Sequence, residues 1–147
     1  MITDTTTPEI TAAEAIEQRR ARLSSELDHF VAVVVPALRP ERIIVFGSYA
    51  SGHIHEWSDL DLVVITETDL PFFERLKQVS LLTRSTVGMD VLVYTPAEWE
   101  HMKANRLFVR DEILKKGKVI YLRDDASVLE STFVHVDAEG EGLVWVQ

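Results

Sequence analysis

One stretch, Asp59-Leu60-Asp61-Leu62-Val63-Val64-Ile65, constrains this chain more than any other. Its β-branched half predicts a buried strand, while its first half carries two carboxylates two residues apart. Alternation along a strand sends Asp59 and Asp61 to one face and turns Leu60 and Leu62 into the core. A fold that accepts this strand must bury one end of it and leave the other open, where the two acids can share a cation.

The flanking segments supply the frame. Thr7-Pro8-Glu9 predicts a helix start, with Thr7 as N-cap and Pro8 at the first helical position. Ile16, Leu23, Leu27, Val31 and Val34 give that helix an apolar stripe, and Pro36 and Pro40 are expected to end it. Arg42 to Phe46 reads as a buried strand that stops at Gly47-Ser48. Pro71 opens a second helix with Phe72, Leu76 and Val79 on one side, Gly88 breaks the pattern, and Met89 to Tyr94 reads as a third strand. Thr95-Pro96-Ala97-Glu98 spells a capping box, and helical character continues with a break to Lys116. Gly117 is expected as a C′ residue, followed by a short closing strand, Lys118 to Leu122. Phe133 to Val136 and Leu143 to Val146 flank a polar turn and form a candidate terminal hairpin.

With 147 residues, 46% of them apolar, the chain suits one core that needs no staple. It has no cysteine, which removes disulfides and thiolate metal sites and is consistent with a reducing cytoplasm. The first thirty residues lack the apolar stretch of a signal peptide, and no run approaches the roughly 18 residues of a membrane span, so a soluble protein is expected. A formal net charge of −9 disfavours a long nucleic acid, which is held by neutralising its phosphates with Lys and Arg. A nucleotide carried with a divalent cation is compatible with that charge, because the ion offsets the carboxylates locally.

Hard oxygen ligands without a nearby thiol favour Mg²⁺ or Mn²⁺ over Zn²⁺ at Asp59 and Asp61. Asp90 begins the next apolar strand, and pairing of that strand with the second one would bring a third carboxylate beside the pair. Such crowding is unfavourable without cations, and two metal ions about 3.5–4 Å apart would relieve it while activating a hydroxyl and holding a triphosphate. Asp90 is then the candidate base or orienter for the nucleophile. Gly47-Ser48 lies where the first strand ends and a turn or short helix starts; backbone N–H groups there, and the Ser48 hydroxyl, suit phosphate oxygens. A Gly-Ser turn, an Asp-x-Asp pair or a strand-start Asp means little alone. Their order on three consecutive strands is what points to phosphoryl or nucleotidyl transfer, a chemistry of positioning and charge neutralisation with no side-chain nucleophile.

Gly47-Ser48, ten residues, Asp59-Leu60-Asp61 and then Asp90 resembles the signature of the minimal nucleotidyltransferases in the DNA polymerase beta-like superfamily. The phrases Phe-Gly-Ser-Tyr-Ala-Ser-Gly, Ser-Asp-Leu-Asp-Leu-Val-Val and Met-Asp-Val-Leu-Val carry the resemblance, which spans about residues 40 to 122. It implies an α+β fold, a small mixed β-sheet backed by helices. It also implies Asp59, Asp61 and Asp90 as catalytic, metal-binding carboxylates for Mg²⁺ and Gly47 and Ser48 as nucleotide-binding residues, with ATP as substrate. The layout it implies is a nucleotidyltransferase domain with its N-terminal helix over residues 1–123, then a tail over 124–147.

Small members of this family resemble the antitoxin half of MNT/HEPN toxin–antitoxin pairs, which adenylylates a tyrosine of a HEPN ribonuclease toxin. A HEPN-family toxin is the partner so implied. Transfer to a small molecule such as an aminoglycoside, and a non-catalytic antitoxin that acts by binding, are the alternatives. The 25 residues after 122 are too few for a small-molecule acceptor domain. One departure stands out: Ser51 occupies the loop position where the family often carries Arg. His53 and His55, and the mixed-charge face holding Arg19, Arg20 and Arg22, read as ordinary solvated surface.

Overall fold

The computed structural model describes residues 9–124, 133–136 and 143–146, the last two segments by their backbone alone. Helix α1 (Ala12–Leu38) starts four residues later than Thr7 as N-cap would require; Thr7 itself lies outside the described residues. The capping residue is Thr11, whose hydroxyl accepts from the Glu14 N–H while Glu14 returns a bond to the Thr11 N–H. Thr7 has Ile10 three residues on, which can return nothing, so the reciprocal pair decides the start. Pro36 does not end the helix either. It sits within the last turn, where losing one backbone bond is tolerable, and the left-handed Arg39 followed by Pro40 makes the stop.

Four strands form the main sheet: β1 (Arg42–Phe46), β2 (Leu60–Ile65), β3 (Met89–Tyr94) and β4 (Lys118–Leu122), in the order β3-β2-β1-β4. β1 runs antiparallel to β2 and β4, whereas β2 and β3 are parallel. A parallel pair needs a crossover, which α3 (Phe72–Thr83) provides; the short α2 (Gly47–Ser51) and a loop join the antiparallel β1 and β2. This is the mixed, helix-backed sheet expected from the sequence.

Both faces of the sheet are covered. On one, Leu23, Leu27, Phe30 and Val34 of α1 and Val79 of α3 pack against Ile43, Val45, Leu60, Leu62 and Val93. On the other, Trp99 of α4 (Pro96–Asn105) joins Val109 and Ile113 of a π-helical segment, Val109–Leu114, against Ile44, Phe46, Val63 and Ile65. Two-sided burial explains why β1 and the far half of β2 read as unbroken apolar runs. Each fully buried Leu, Ile or Phe contributes on the order of 1.5–3 kcal/mol.

Gly117 is a glycine for want of space, not for a left-handed turn, since only Gly47 and Gly52 have positive φ among the described glycines. A Cβ at 117 would run into the Ile113 carbonyl and stand 3.1 Å from the Val45 carbonyl. At the C-terminal side, β5 (Phe133–Val136) and β6 (Leu143–Val146) pair antiparallel as a separate two-stranded sheet; residues 137–142 between them lie outside the described residues.

Candidate active site

The strand register brings two of the three aspartates together. In the parallel pairing Asp61 stands directly opposite Asp90, with Leu60 opposite Met89 and Leu62 opposite Val91. Asp61 shares the parity of Val63 and Ile65, so its side chain leaves the sheet on the face that α4 covers further along. The Asp61 and Asp90 carboxyl groups are close enough to share a proton. Burial first, then the charge and hydrogen bond of Asp90, then the charge of Asp59, raise the Asp61 pKa from 3.8 to about 6.

Asp59 does not complete a tight trio. It precedes β2 by one residue, its side chain is half exposed, and a carboxylate oxygen lies 3.4 Å from the Arg19 guanidinium. Among the described residues, no three His, Asp or Glu side chains are drawn together closely enough to hold a metal ion. The donor set still fits a hard divalent cation. Asp61 and Asp90 present crowded, uncompensated oxygen ligands, and Asp59 adds its charge to theirs while tied to Arg19 by a single ion pair.

Two glycines give these acids room. Gly47 follows β1 with φ +74°, a conformation that disfavours any side chain, and a Cβ there would overlap the Asp61 carboxylate. At Gly88, one residue before β3, a Cβ would stand 2.6 Å from an Asp59 oxygen. The Gly47 turn therefore lies directly against Asp61, as a nucleotide cradle beside a cation would require. Gly88 read in the sequence only as a pattern breaker; what it makes way for is a carboxylate 29 positions earlier, which local pattern cannot reveal.

Ser48 binds the protein first. Its hydroxyl donates to Ser58 Oγ at 3.0 Å, and Ser58, 2% exposed, also accepts from the His55 N–H at 2.9 Å. Ser58 thus joins the turn after β1 to the approach of β2, a role the sequence reading did not assign although the residue stands beside Asp59. His55 and His53 serve the loop itself: His55 Nδ1 accepts from the Trp57 N–H at 3.2 Å, and His53 Nδ1 lies 3.2 Å from Ser51 Oγ.

Helix α1 ties down both acid-bearing segments, which corrects the solvated reading for Arg19. Arg19 donates through Nε to the Ser58 carbonyl at 2.8 Å besides facing Asp59, and its side chain is only 19% exposed. Arg22 donates to the Thr86 carbonyl at 2.9 Å. Glu26 accepts from Ser85 Oγ at 3.1 Å and from Thr86 Oγ1 at 3.0 Å; burial pushes its pKa up, but these bonds outweigh it and leave the pKa below the ordinary range. Arg22 remains exposed while making its bond to Thr86, and Arg20 pairs within its own helix, 3.5 Å from Glu17. Helical spacing of Arg19, Arg22 and Glu26 along one face was the signal available for this role.

Phe72, Tyr94, Ala97, Glu98, His101 and Met102 line an apolar groove of about 460 Å³. It begins at the opposite end of β3, four residues from Asp90, or roughly 13 Å at ~3.3 Å per residue. Its carboxylate, Glu98, is already held by Arg75 at 2.7 Å, so the groove offers packing and the aspartates offer the chemistry.

Comparison with known proteins places the chain in a family. The family model for the polymerase beta nucleotidyltransferases matches residues 33–126, the span from the end of α1 through β4 that contains every residue of the site except the arginines and Glu26 of α1. The chain belongs to that family. It is 31% identical over 86 residues to a putative protein adenylyltransferase of Methanocaldococcus jannaschii, covering 56% of this chain and 80% of that one. A second protein of that name from the same organism is 32% identical over 53 residues, 36% of this chain and 54% of its own length. The crystal structure of a putative nucleotidyltransferase from Sulfolobus solfataricus superposes with a TM-score of 0.56 at 20% identity, covering 78% of this chain and 94% of the other, a likeness of fold. As a member of the polymerase beta family the chain is a nucleotidyltransferase, and no helix among its described residues is long and apolar enough to cross a membrane.

Proposed function

We propose that this nucleotidyltransferase moves AMP from ATP to a hydroxyl on another protein, with Asp61, Asp90 and Asp59 holding Mg²⁺, and that the acceptor is a tyrosine of a HEPN ribonuclease toxin, which would make the chain an antitoxin. The observation that carries the chemistry is the register pairing of Asp61 with Asp90 beside the side-chain-free Gly47 turn. Two relatives named as protein adenylyltransferases support a protein acceptor. The toxin as acceptor rests on the resemblance to the small antitoxin members of the family.

Bound divalent ions would supply charge neutralisation at the triphosphate and lower the pKa of the attacking hydroxyl. The chain's own groups do the rest. Asp90, exposed at the start of edge strand β3, faces the acceptor and takes the hydroxyl proton. The acceptor oxygen forms a bond to the α-phosphorus as the bond from that phosphorus to the bridging oxygen breaks, and pyrophosphate leaves with the displaced electron pair. Gly47 and Ser48 cradle the phosphates, and Arg19 holds Ser58 and Asp59 in place from α1.

The test is to incubate the purified protein with Mg²⁺, α-labelled ATP and a candidate HEPN partner, beside the Asp59→Ala/Asp61→Ala double variant. Label on the partner that the double variant fails to deliver supports the proposal. No label, together with a tight complex that survives both substitutions, contradicts it for that partner and favours neutralisation by contact.

A further inference from the structure

Trp57 is 76% exposed, which leaves most of the largest apolar side chain in the code in water. A single exposed apolar residue is ordinary, and Phe73 and Leu81 on α3 are comparable cases. Trp57 differs in how firmly its backbone is held. Its own N–H donates to His55 Nδ1 at 3.2 Å. Around it the Ser58 N–H donates to the His55 carbonyl at 3.0 Å, the Ser58 carbonyl accepts from Arg19 Nε at 2.8 Å, and Ser58 Oγ meets Ser48 Oγ at 3.0 Å. Ile54, 7% exposed, anchors the loop to the core. The chain fixes the backbone that carries this indole and leaves about three quarters of the residue's surface in water.

Its place in the chain is equally specific. Trp57 is next to a serine that touches Ser48 and two residues before Asp59, so the loop that carries the ring lies between the phosphate turn and the carboxylates. We propose that Trp57 is the stacking platform for the base of the bound nucleotide, a proposal that rests on the nucleotide reading of the Gly47-Ser48 turn. A pinned loop has little backbone freedom left to lose on binding, and stacking accepts any base because every base offers a π face. Trp57 thereby adds affinity for the nucleoside part of the substrate without selecting among bases.

The experiment uses the full chain with Mg²⁺ and α,β-methylene-ATP, and, as a probe with no base, inorganic triphosphate. Tryptophan emission and Kd are followed for the wild type, Trp57→Ala and Trp57→Phe, and the exposure of the side chain predicts unchanged melting temperatures. The expected result is quenching by the ATP analogue of an emission component that Trp57→Phe lacks, with Kd for the analogue raised roughly 5- to 150-fold in Trp57→Ala. Trp57→Phe recovers most of that affinity, and inorganic triphosphate binds all three proteins alike. Equal Kd for the analogue in wild type and Trp57→Ala overturns the proposal, as does an equal loss for the analogue and triphosphate, which would mean a disturbed loop. An unchanged nucleotide Kd with a raised KM for the acceptor also overturns it and moves Trp57 to the acceptor side. If the wild type binds neither ligand, the nucleotide reading falls together with the proposal.

Discussion

The two ends of β3 handle charge in opposite ways. At Tyr94 the charges are matched: Arg75, 7% exposed, donates to Glu98 at 2.7 and 3.2 Å, to the Val93 carbonyl at 3.0 Å and to the Leu70 carbonyl at 2.8 Å. At Asp90 two carboxyl groups are pressed together with a third nearby, and Arg19, the cation that meets this group among the described residues, pairs with Asp59 and not with Asp61 or Asp90. Arg75 and Glu98 join α3 to α4 at an interior position where a lone charge would be strongly unfavourable. Asp61 and Asp90 repel each other and give nothing to the stability of the metal-free fold. A protein keeps such an arrangement where something else is meant to bind.

Substitutions at the two ends should therefore separate activity from stability. Asp61→Asn or Asp90→Asn is expected to lower nucleotidyl transfer about 10²- to 10³-fold, as removal of one preorganised electrostatic group does elsewhere, with the melting temperature held or raised. Label transfer and thermal unfolding on the same preparations check this. Arg75→Met should do the reverse. It strips two carbonyls and a carboxylate of their donor and should destabilise the fold by about 2–4 kcal/mol, with transfer per folded molecule unchanged. A large activity loss in folded Arg75→Met would dissolve the contrast.

Gly47→Ala should fall between these, because it disturbs both properties. A left-handed φ and an overlap with Asp61 predict a loss of about 1–3 kcal/mol in denaturant unfolding together with weaker triphosphate binding. The smallest effect belongs to Glu98. Hydrogen bonding to Arg75, aided by Thr95 and opposed by burial, lowers its pKa below the ordinary 4.5. A carboxylate lowered in the folded state stabilises fully above its unfolded pKa and loses that contribution as the pH falls through its folded pKa. The stability gap between wild type and Glu98→Gln should accordingly be constant from neutral pH down to about 4.5 and close below it, as read from unfolding midpoints.

The strands were legible in the sequence because local composition decides them: β1, β3 and β4 begin and end where their apolar runs do. The pairing of Asp61 with Asp90, and the Gly47 turn against Asp61, were legible because alternation along a strand and order along the chain suffice to nominate those residues. The helix boundaries were less so, since Thr7 and Thr11 are both good caps and only the Glu14 bond back to Thr11 chooses between them. What stayed hidden depends on contacts across many residues. Arg19 meets Ser58 and Asp59 some forty positions away, Glu26 reaches Thr86, and Gly88 makes space for Asp59. A surface arginine and a clamping arginine look alike until the fold brings their partners near.

The contrast between the two ends of β3 is tested most directly by thermal unfolding of the wild type and Asp61→Asn from pH 4 to 8, with and without Mg²⁺. An acid whose folded pKa is raised holds its proton longer in the native state, so its penalty is absent below pH 3.8, grows between 3.8 and about 6, and is complete above 6. At about 1.4 kcal/mol per tenfold change in proton affinity the full shift would be ~3 kcal/mol, of which solvent screening at a half-exposed site leaves about 1. Without metal, Asp61→Asn should match the wild type near pH 4 and exceed it by about 1 kcal/mol at pH 8. Mg²⁺ should stabilise the wild type above pH 6 and leave the variant unmoved. Equal Mg²⁺ stabilisation of both proteins, or a variant that gains nothing at pH 8, would contradict the assignment of this end of the sheet to a divalent cation.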